Sequence, residues 1–469
     1  MINTIKYYTY FLLSIIIVIA FFNAFQLIEL PAQGAHLWRQ ADGLAMTWNY
    51  KLFDLSFLQT ETFNLLSIEG KGIAEFPIFY YFAAQFANPE KALRTIHFVV
   101  LIIGFFAFYR LAIFYLKNTF YAVLSLLLFA SSPLIIFYGI NFIVDVPALC
   151  FALLAWSIFI PNRSSRSSLF FCLLFLSFAS LLKATHILNF LILFYLLFQE
   201  KRLGFKNIIL VSFFISIPVI WYAYALYFNK INHNDYLFLS LKPIFFMSFY
   251  DIGLAFWRII VSWSKTYFWR PTSIILCLSL LYFLLKRKKS DLSKMVFYTL
   301  LMNILYIILF LDKLIIHEYY YPFFYIQVAF VLIAFFKILQ QNKHQNYIKI
   351  GLVIFVFINL YYCKNYTAEK QTVQRIDQKL FSDGFQSFLN QNGCTISKTI
   401  FCYDDLSVNQ SLYAIKRKGI TQYNENWQEF ILQKKINFIL VNEQSSDKII
   451  KSVYPKNIYT YKNYKLIAL

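Results

Sequence analysis

Long apolar runs separated by short polar segments dominate the pattern of this chain. Runs of about 17–25 apolar residues are long enough to cross a hydrocarbon core of roughly 30 Å as α-helices. On this basis the pattern predicts eleven membrane-spanning helices, at residues 9–30, 96–116, 119–139, 146–160, 167–182, 184–199, 207–228, 271–285, 295–311, 320–337 and 349–363. We interpret the first run as a retained helix, because no small-residue cleavage site follows it cleanly.

The composition agrees with a membrane protein. Hydrophobic residues make up 59% of the 469 residues and charged residues only 14%, against roughly 45–50% and 25% in soluble domains. So much apolar surface excludes a disordered chain, and so little charge argues against a soluble globule. The net charge of +20 lies in short patches between the apolar runs, which favours a membrane rather than a nucleic acid as the partner.

The basic residues predict the orientation of the spans. On one side the loops carry sixteen basic residues beside only two acids, Glu200 and Asp291. Because loops rich in Lys and Arg stay in the cytoplasm, this bias predicts a cytoplasmic N-terminus, an odd number of spans and an extracytoplasmic C-terminus. The sixteen are Lys6, Arg110, Lys117, Arg163, Arg166, Lys201, Arg202, Lys206, Lys286, Arg287, Lys288, Lys289, Lys294, Lys337, Lys343 and Lys349.

The predicted fold is an all-α polytopic membrane protein with a small extracytoplasmic α/β domain. The membrane domain covers residues 1–363 and includes two long external loops, 31–95 and 229–270, in which aromatic residues are mixed with charged ones. The tail, residues 364–469, is richer in charge.

Within the tail, the pattern predicts both helix and strand. A helix-like stretch, Thr372–Asn390, precedes two strand-like stretches, Thr399–Tyr403 and Asn437–Val441. These alternating elements are the basis for the α/β prediction.

Five polar groups lie on the predicted external side, beside the spans. Charges at a membrane boundary cost free energy unless they are paired, hydrated or functional. Taken singly, each group has a structural interpretation as an ion pair, a helix cap, an interfacial lysine or part of an aromatic belt. Because all five fall on one side, we expect them to line one polar cavity that opens outward. The groups are Arg39 with Asp42, Glu75, Asp145, Lys183, and His317 with Glu318.

The order of these groups resembles a known family. The sequence contains Trp38-Arg39-Gln40-Ala41-Asp42, then Glu75-Phe76-Pro77, Asp145-Val146-Pro147 and His317-Glu318-Tyr319-Tyr320. In this order the motifs resemble the polyprenyl-phosphate-dependent membrane glycosyltransferases of the GT-C superfamily. The resemblance is greatest to glycosyltransferase family 39, which includes the aminoarabinose transferase and relatives of protein O-mannosyltransferases. It covers residues 1–363 and implies a GT-C-like fold.

The chain departs from the family pattern at two positions. The family often carries Asp-Glu in the first external loop, where the acid acts as catalytic base or orients the acceptor. Here Asp42 matches that acid but is followed by Gly43. The family's Glu-Lys-Pro element is matched by Glu75-Phe76-Pro77, so its phosphate-binding lysine is replaced by phenylalanine.

The resemblance implies a polyprenyl-phosphate sugar donor and a hydroxyl acceptor on a glycan, a lipid or a protein. Attack opposite the phosphate would invert the anomeric centre. Asp42 is the expected base for the acceptor hydroxyl. A departing phosphate needs cations, so we expect Arg39 to bind it through its planar guanidinium, with Lys183 and His317 as second choices.

The remaining residues are expected to bind substrate. Glu75 and Asp145 would position hydroxyl groups or pair with the cations. The tyrosines around Tyr319, including Tyr320, would suit a sugar face or the prenyl chain, and Glu318 is also expected to bind substrate. No obligatory metal is expected, because the carboxylates are single and scattered, although the sequence leaves a divalent cation open. The expected location is a bacterial inner membrane.

Three other interpretations are open from the sequence. A flippase or transporter of lipid-linked oligosaccharides would also carry aromatic and charged residues near a cavity, but transporters commonly show internal repeats. An O-antigen ligase or polymerase would share substrates and topology. A noncatalytic membrane scaffold that displays the tail predicts that none of the five groups matters.

Overall fold

The computed structural model describes residues 4–237, 242–286, 290–341, 345–423, 427–434, 436–453 and 455–469. Parts of two sequence predictions lie outside these residues. They are the basic residues Arg287, Lys288, Lys289 and Lys343, and residues 238–241 of the second external loop.

Helices make up most of the described chain. They are α1 (Thr4–Phe22), α2 (Ala24–Glu29), α3 (Leu37–Phe53), α4 (Ile78–Ala84), α5 (Pro89–Leu116), α6 (Thr119–Ala130), α7 (Pro133–Gly139), α8 (Asp145–Phe159), α9 (Arg166–Leu182), α10 (Asn189–Gln199), α11 (Phe205–Ile231), α12 (Phe249–Ser262), α13 (Arg270–Lys286), α14 (Asp291–Ile316), α15 (Tyr325–Gln340), α16 (Gln345–Thr372), α17 (Asp383–Gln391), α18 (Gln410–Ile415), α19 (Trp427–Lys434) and α20 (Glu443–Ile450). The strands are β1 (Ile400–Cys402), β2 (Gly419–Thr421), β3 (Phe438–Asn442), β4 (Asn457–Tyr461) and β5 (Tyr464–Ala468).

Each of the eleven predicted apolar runs overlaps one or two of these helices. Within the described residues, seven helices are long and apolar enough to cross a membrane, and two bent pairs, α6 with α7 and α12 with α13, raise that number to nine. The runs at 167–182 and 184–199 form shorter apolar helices. The helical membrane fold is therefore confirmed, whereas the number of spans stays a prediction.

The pattern predicts one span at residues 119–139, whereas the structure has two helices there, α6 and α7, with a bend between them. The two helix axes differ by 69°. Pro133 starts α7 because it lacks an N–H donor and cannot continue the preceding helix. Ser132 caps the new helix by accepting a hydrogen bond from the N–H of Ile135 at 3.4 Å. The bend matters for the site because α7 carries Tyr138.

The chain divides into two compact units, and each unit is built from three segments. The helical unit comprises Met1–Glu29, Arg94–Tyr222 and Ser240–Lys370. The mixed unit comprises Leu30–Leu93, Ala223–Leu239 and Gln371–Leu469. Most of the first predicted external loop thus belongs to the same unit as the tail. The predicted domain boundary after residue 363 stays a prediction.

The mixed unit contains a five-stranded sheet in the order β2-β1-β3-β5-β4. Strand β1 runs parallel to β2 and β3, whereas β5 runs antiparallel to β3 and β4. Its core includes the buried side chains of Phe401, Ile439 and Ile467, and Trp427 stacks on Phe401 with ring centroids 5.3 Å apart. The predicted strands at residues 399–403 and 437–441 are confirmed by β1 and β3.

The first loop pairs with an edge of this sheet. Gly419 of β2 donates its N–H to the carbonyl of Phe63 at 2.8 Å and accepts from the N–H of Leu65 at 2.7 Å. Beside it, Lys418 Nζ lies 2.5 Å from Glu61 Oε2. Helix α18 packs on α3. Backbone and side-chain contacts therefore join residues of the first loop to residues of the tail within one unit.

The predicted helix over Thr372–Asn390 forms only in part. Helix α16 ends at the start of this stretch, and α17 begins only at Asp383. Between them, Arg375 pairs with Gln33 in an antiparallel bridge. A short 3₁₀ helix, Gln378–Phe381, follows the bridge. Pairing with the first loop therefore interrupts the predicted helix near Arg375.

Candidate active site

Arg39 and Asp42 lie one turn apart at the start of α3. The helix begins at Leu37, directly after His36, whose backbone is left-handed with a φ of 53°. Side chains three residues apart share one face of a helix. Arg39 Nη1 accordingly lies 3.9 Å from Asp42 Oδ2, so the two residues are neighbours, as their spacing predicts.

Glu75 completes this group from the end of the first loop. Its carboxylate accepts hydrogen bonds from Arg39 Nη2 and from the hydroxyl of Tyr80. Pro77 occupies the cap position of α4, which carries Tyr80. Glu75 is buried. A single guanidinium therefore faces two carboxylates, those of Asp42 and Glu75.

The carboxylate of Asp42 is almost completely enclosed, with 1% of the residue exposed. Its Oδ1 accepts a hydrogen bond from Asn409 Nδ2 at 2.7 Å, and its Oδ2 accepts one from the Tyr236 hydroxyl at 3.0 Å. Burying a charge is costly unless donors or an opposite charge accompany it. Asp42 has both, because Arg39 lies on the same helix.

Burial raises the pKa of Asp42 from the ordinary value of 3.8 to about 6. The positive charge of Arg39 and the hydrogen bonds from Asn409 and Tyr236 oppose this rise, and the negative charge of Glu75 adds to it. A carboxylate with a pKa near 6 is still ionised at neutral pH, yet it is a stronger base than an exposed one. The surroundings of Asp42 therefore suit a general base.

A second group lies in the helical unit, around Lys183 at the end of α9. Lys183 Nζ lies 2.8 Å from Asp145 Oδ1. Asp145 is the first residue of α8, where proline at Pro147 fits the first turn and negative charge is favourable. The same ammonium lies 3.7 Å from the ring centroid of Tyr320 and 5.3 Å from that of Tyr319, which is within cation–π range.

Glu318 extends this second group. Its Oε1 accepts a hydrogen bond from the Tyr138 hydroxyl at 2.6 Å and forms an ion pair with Lys370. The ring of His317 stacks near that of Tyr320, with centroids 5.9 Å apart. Two lysine–carboxylate pairs and several aromatic rings thus occur together.

The eight predicted site residues therefore form two groups, one in each unit. The group in the mixed unit contains Arg39, Asp42 and Glu75. The group in the helical unit contains Asp145, Lys183, His317, Glu318 and Tyr320. Their chemical roles stay predictions, and so does the expectation that the five polar groups line one cavity.

Lys370, Tyr236 and Asn409 are among the residues of these groups that were not predicted from the sequence. Lys370 lies just after the last predicted span, so the argument that selected Lys183 would also have found it. Tyr236 is one of many aromatic residues in its loop and carries no distinguishing signal. Asn409 lies 367 residues from Asp42, and no local pattern links the two.

Among the residues that the structure describes, no group of three or more His, Cys, Asp or Glu side chains could hold a metal ion. The expectation about metals stays a prediction.

Comparison with known proteins identifies a family match for part of the chain. Residues 77–224 match the family described as dolichyl-phosphate-mannose-protein mannosyltransferase. This segment includes Asp145 and Lys183 of the second group. No protein of curated function matches the sequence.

Solved structures share the fold over nearly the whole chain. ArnT from Cupriavidus metallidurans bound to undecaprenyl phosphate matches with a TM-score of 0.62 at 8% identity, over 97% of both chains. The Archaeoglobus fulgidus oligosaccharyltransferase, tethered with an acceptor peptide containing the NVT sequon, matches at 0.58 and 11%, over 98% of this chain and 74% of that one. The mycobacterial arabinofuranosyltransferase AftD matches at 0.53 and 10%, over 100% of this chain and 40% of that one.

At such low identities the structural matches establish the fold. Together with the family match, they confirm the resemblance to the GT-C superfamily. The chain therefore shares the fold of these solved structures over nearly its whole length, and residues 77–224 match the mannosyltransferase family.

Proposed function

We propose that this protein is a glycosyltransferase that transfers a sugar from a polyprenyl-phosphate donor to an acceptor hydroxyl, with inversion at the anomeric carbon. The reaction takes place on the extracytoplasmic side of a bacterial inner membrane. One observation carries the proposal: the buried carboxylate of Asp42, which has hydrogen-bond donors on both oxygens and Arg39 as its neighbouring cation. The match to an ArnT bound to undecaprenyl phosphate supports a lipid-linked donor.

Asp42 acts as the general base. A hydroxyl is a weak nucleophile, so its proton must leave as its oxygen attacks the anomeric carbon. The bond from the acceptor oxygen to that carbon forms, the bond from that carbon to the phosphate oxygen breaks, and the proton passes to Asp42. Each carboxylate oxygen has two acceptor positions. Asn409 and Tyr236 each occupy one of these positions.

Arg39 binds the departing phosphate. The leaving group is already a stable anion, so cations and N–H donors assist it more than a general acid does. A guanidinium has five N–H donors. The contacts of Arg39 with Glu75 and Asp42 hold this planar group next to the proposed base. Lys183 and His317 are the second candidates for this role.

The other carboxylates hold the cations in position. Glu75 pairs with Arg39, and Asp145 pairs with Lys183, so each positive side chain has a fixed direction. Glu318 and Tyr320 contact the sugar or the prenyl chain. The acceptor is a glycan, a lipid or a protein. The oligosaccharyltransferase solved with an acceptor peptide supports a macromolecular acceptor.

The test replaces Asp42 with asparagine. Asp42→Asn preserves the size of the side chain but removes the base, so transfer from a panel of polyprenyl-phosphate hexose and pentose donors should fall by about 10²–10⁴-fold. Rates are measured with the purified variant in lipid vesicles. Asp54→Asn is the matched control, because Asp54 is an exposed carboxylate at the end of the same helix.

Two results would contradict the proposal. Normal transfer by Asp42→Asn would remove Asp42 as the base. Movement of the lipid-linked sugar across the bilayer, undiminished in Asp42→Asn and without any transfer in the unaltered protein, would favour a flippase.

A further inference from the structure

We propose that Asn409, in the tail, is a positioning residue for the carboxylate of Asp42. The tail then contributes a side chain to the candidate active site, beyond being an appended domain. This inference rests on the proposed role of Asp42 as the base. It adds a residue that neither the sequence motifs nor the family match, which ends at residue 224, contains.

Asn409 is held rigidly where it meets Asp42. The residue is completely buried, and its Nδ2 lies 2.7 Å from Asp42 Oδ1. Its backbone carbonyl accepts from the N–H of Tyr413 at 2.8 Å, because Asn409 occupies the cap position of α18. Helix α18 in turn packs on α3, which carries Asp42. Both ends of the hydrogen bond are therefore anchored in helices that touch each other.

The partners of Asn409 determine which way its amide points. Its Oδ1 accepts from the backbone N–H of Asn64 at 3.2 Å and from Asn64 Nδ2 at 3.3 Å. If the amide were turned over, its oxygen would face the carboxylate of Asp42 and its NH₂ group would face the N–H of Asn64. Both contacts would be repulsive. Only the orientation that donates to Asp42 satisfies all three groups.

The backbone on either side of Asn64 is also fixed. Phe63 accepts from the N–H of Gly419, and Leu65 donates to the carbonyl of Gly419. The side chain of Asn64 donates to Thr62 Oγ1 at 2.8 Å as well. The sheet edge therefore holds Asn64, Asn64 orients Asn409, and Asn409 orients Asp42.

Asn409 differs from the other groups that face Asp42. Those groups are Arg39 on the same helix, Glu75 from the first loop and Tyr236 from the second. A tyrosine hydroxyl can either donate or accept, whereas the NH₂ of an amide can only donate. Arg39 is farther from the carboxylate, at 3.9 Å, and it also binds Glu75. Asn409 therefore fixes Oδ1 with a group that can only donate, and Oδ2, which accepts from Tyr236, has its second acceptor position for the reaction.

A donor hydrogen bond favours the ionised form of a carboxylate and so holds its pKa down. Removing that donor should raise the pKa of Asp42 above about 6. The acidic limb of the pH profile of kcat/KM reports the pKa of a base in the free enzyme. Loss of the donor should therefore move this limb towards higher pH, with activity lost mainly below the new midpoint.

The test uses Asn409→Asp and Asn409→Ala in the full-length protein. Asn409→Asp has nearly the same shape and can still accept from Asn64, but it replaces the donor with an oxygen. Asn409→Ala removes the donor without adding charge. We expect the acidic midpoint of kcat/KM to rise by about one pH unit in the alanine variant. It should rise further in the aspartate variant, because two carboxylates then interact.

Ser407→Ala is the matched control. The Ser407 hydroxyl accepts from the N–H of Gln410 in the same loop as Asn409 and has no hydrogen bond to Asp42. A general weakening of this loop should lower kcat/KM equally at every pH and leave the midpoint in place, as expected for Ser407→Ala.

The outcomes separate this inference from the proposed function. An unmoved midpoint in both Asn409 variants, with Asp42→Asn inactive, overturns the positioning role alone. An active Asp42→Asn variant overturns the proposed function and this inference with it. A raised midpoint in both Asn409 variants, with the Ser407→Ala midpoint unchanged and Asp42→Asn inactive, supports both.

Discussion

At the scale of single residues, the cations of the candidate groups are already paired with carboxylates. Arg39 contacts Glu75 and Asp42, and Lys183 contacts Asp145. Pairing offsets the cost of holding charges among apolar side chains. It also means that a bound phosphate must share each cation with a carboxylate. A guanidinium is better suited to this sharing than an ammonium, because its donors point in several fixed directions.

The geometry of Arg39 can be tested by substitution with lysine and alanine. Arg39→Lys keeps the charge but loses the fork of donors, so KM for the lipid donor should rise about tenfold. Arg39→Ala should raise KM further. It should also raise the pKa of Asp42, because it removes a positive charge that lowers this pKa. Steady-state kinetics with a polyprenyl-phosphate sugar at several pH values measure both effects.

Lys71→Ala provides the control for charge alone. Lys71 pairs with the exposed Glu69 in the same unit, at 2.5 Å, and surface pairs contribute little to stability. Its loss should leave KM unchanged. A wild-type KM in Arg39→Ala would show that another cation binds the phosphate.

At the scale of elements, strand β2 joins two parts of the mixed unit. It pairs with β1 inside the sheet and exchanges backbone hydrogen bonds with Phe63 and Leu65 of the first loop. This close approach requires glycine at position 419, because a Cβ atom there would overlap the carbonyl oxygen of Ile400. The atom in the way belongs to the backbone and not to a flexible side chain, so even alanine cannot be accommodated without a shift of the strands.

Gly419→Ala should therefore destabilise the mixed unit by about 1–3 kcal/mol, the usual cost of overfilling a packed site. Thermal unfolding of the purified protein in detergent measures the loss. Limited proteolysis, followed at cleavage sites in residues 30–93 and 371–469, shows where the structure opens.

Gly351→Ala is the control, since no described atom outside its own helix lies within 4 Å of its added Cβ. It should be neutral or stabilising. Equal melting temperatures for both variants would contradict the packing argument.

Element prediction from the sequence succeeds where apolar length decides the structure. Spans such as 96–116 and 207–228 lie within single helices, α5 and α11. The run at 119–139 is bent because proline at Pro133 interrupts it, although its apolar pattern continues. The stretch after Thr372 has a helical pattern but is interrupted where Arg375 pairs with Gln33. Local pattern therefore fails where a distant segment supplies the hydrogen bonds.

At the scale of the whole molecule, the mixed unit assembles segments that are far apart in the chain. It combines residues 30–93 with 223–239 and 371–469. The carboxylates could be selected from the sequence, because acids beside apolar runs are conspicuous. Two partners of Asp42 could not, because Tyr236 is one of many aromatic residues in its loop and Asn409 lies 367 residues away along the chain. Whether such residues contact Asp42 depends on the three-dimensional fold and not on their spacing along the sequence.

This organisation predicts that the tail cannot be removed without loss of the transferase. A chain that ends at residue 372 lacks the α18 surface that packs on α3, the β2 strand that pairs with the first loop, and the amide that contacts Asp42. We expect loss of transfer by the truncated protein in vesicles and rapid proteolysis within residues 30–93. Full-length protein under the same protease treatment is the reference. Normal transfer by the truncated chain would show that the membrane domain is sufficient.

The distance between Asp42 and Asn409 along the chain also bears on biogenesis. The ribosome adds about 5–20 residues per second, so the 367 residues that separate them take about 20–70 s to translate. While the spans are being inserted, the nascent protein has the carboxylate of Asp42 without its amide partner, Asn409. The proposed reaction centre can be complete only once residue 409 has been synthesised, so any onset of sugar transfer must follow translation of the tail up to that point.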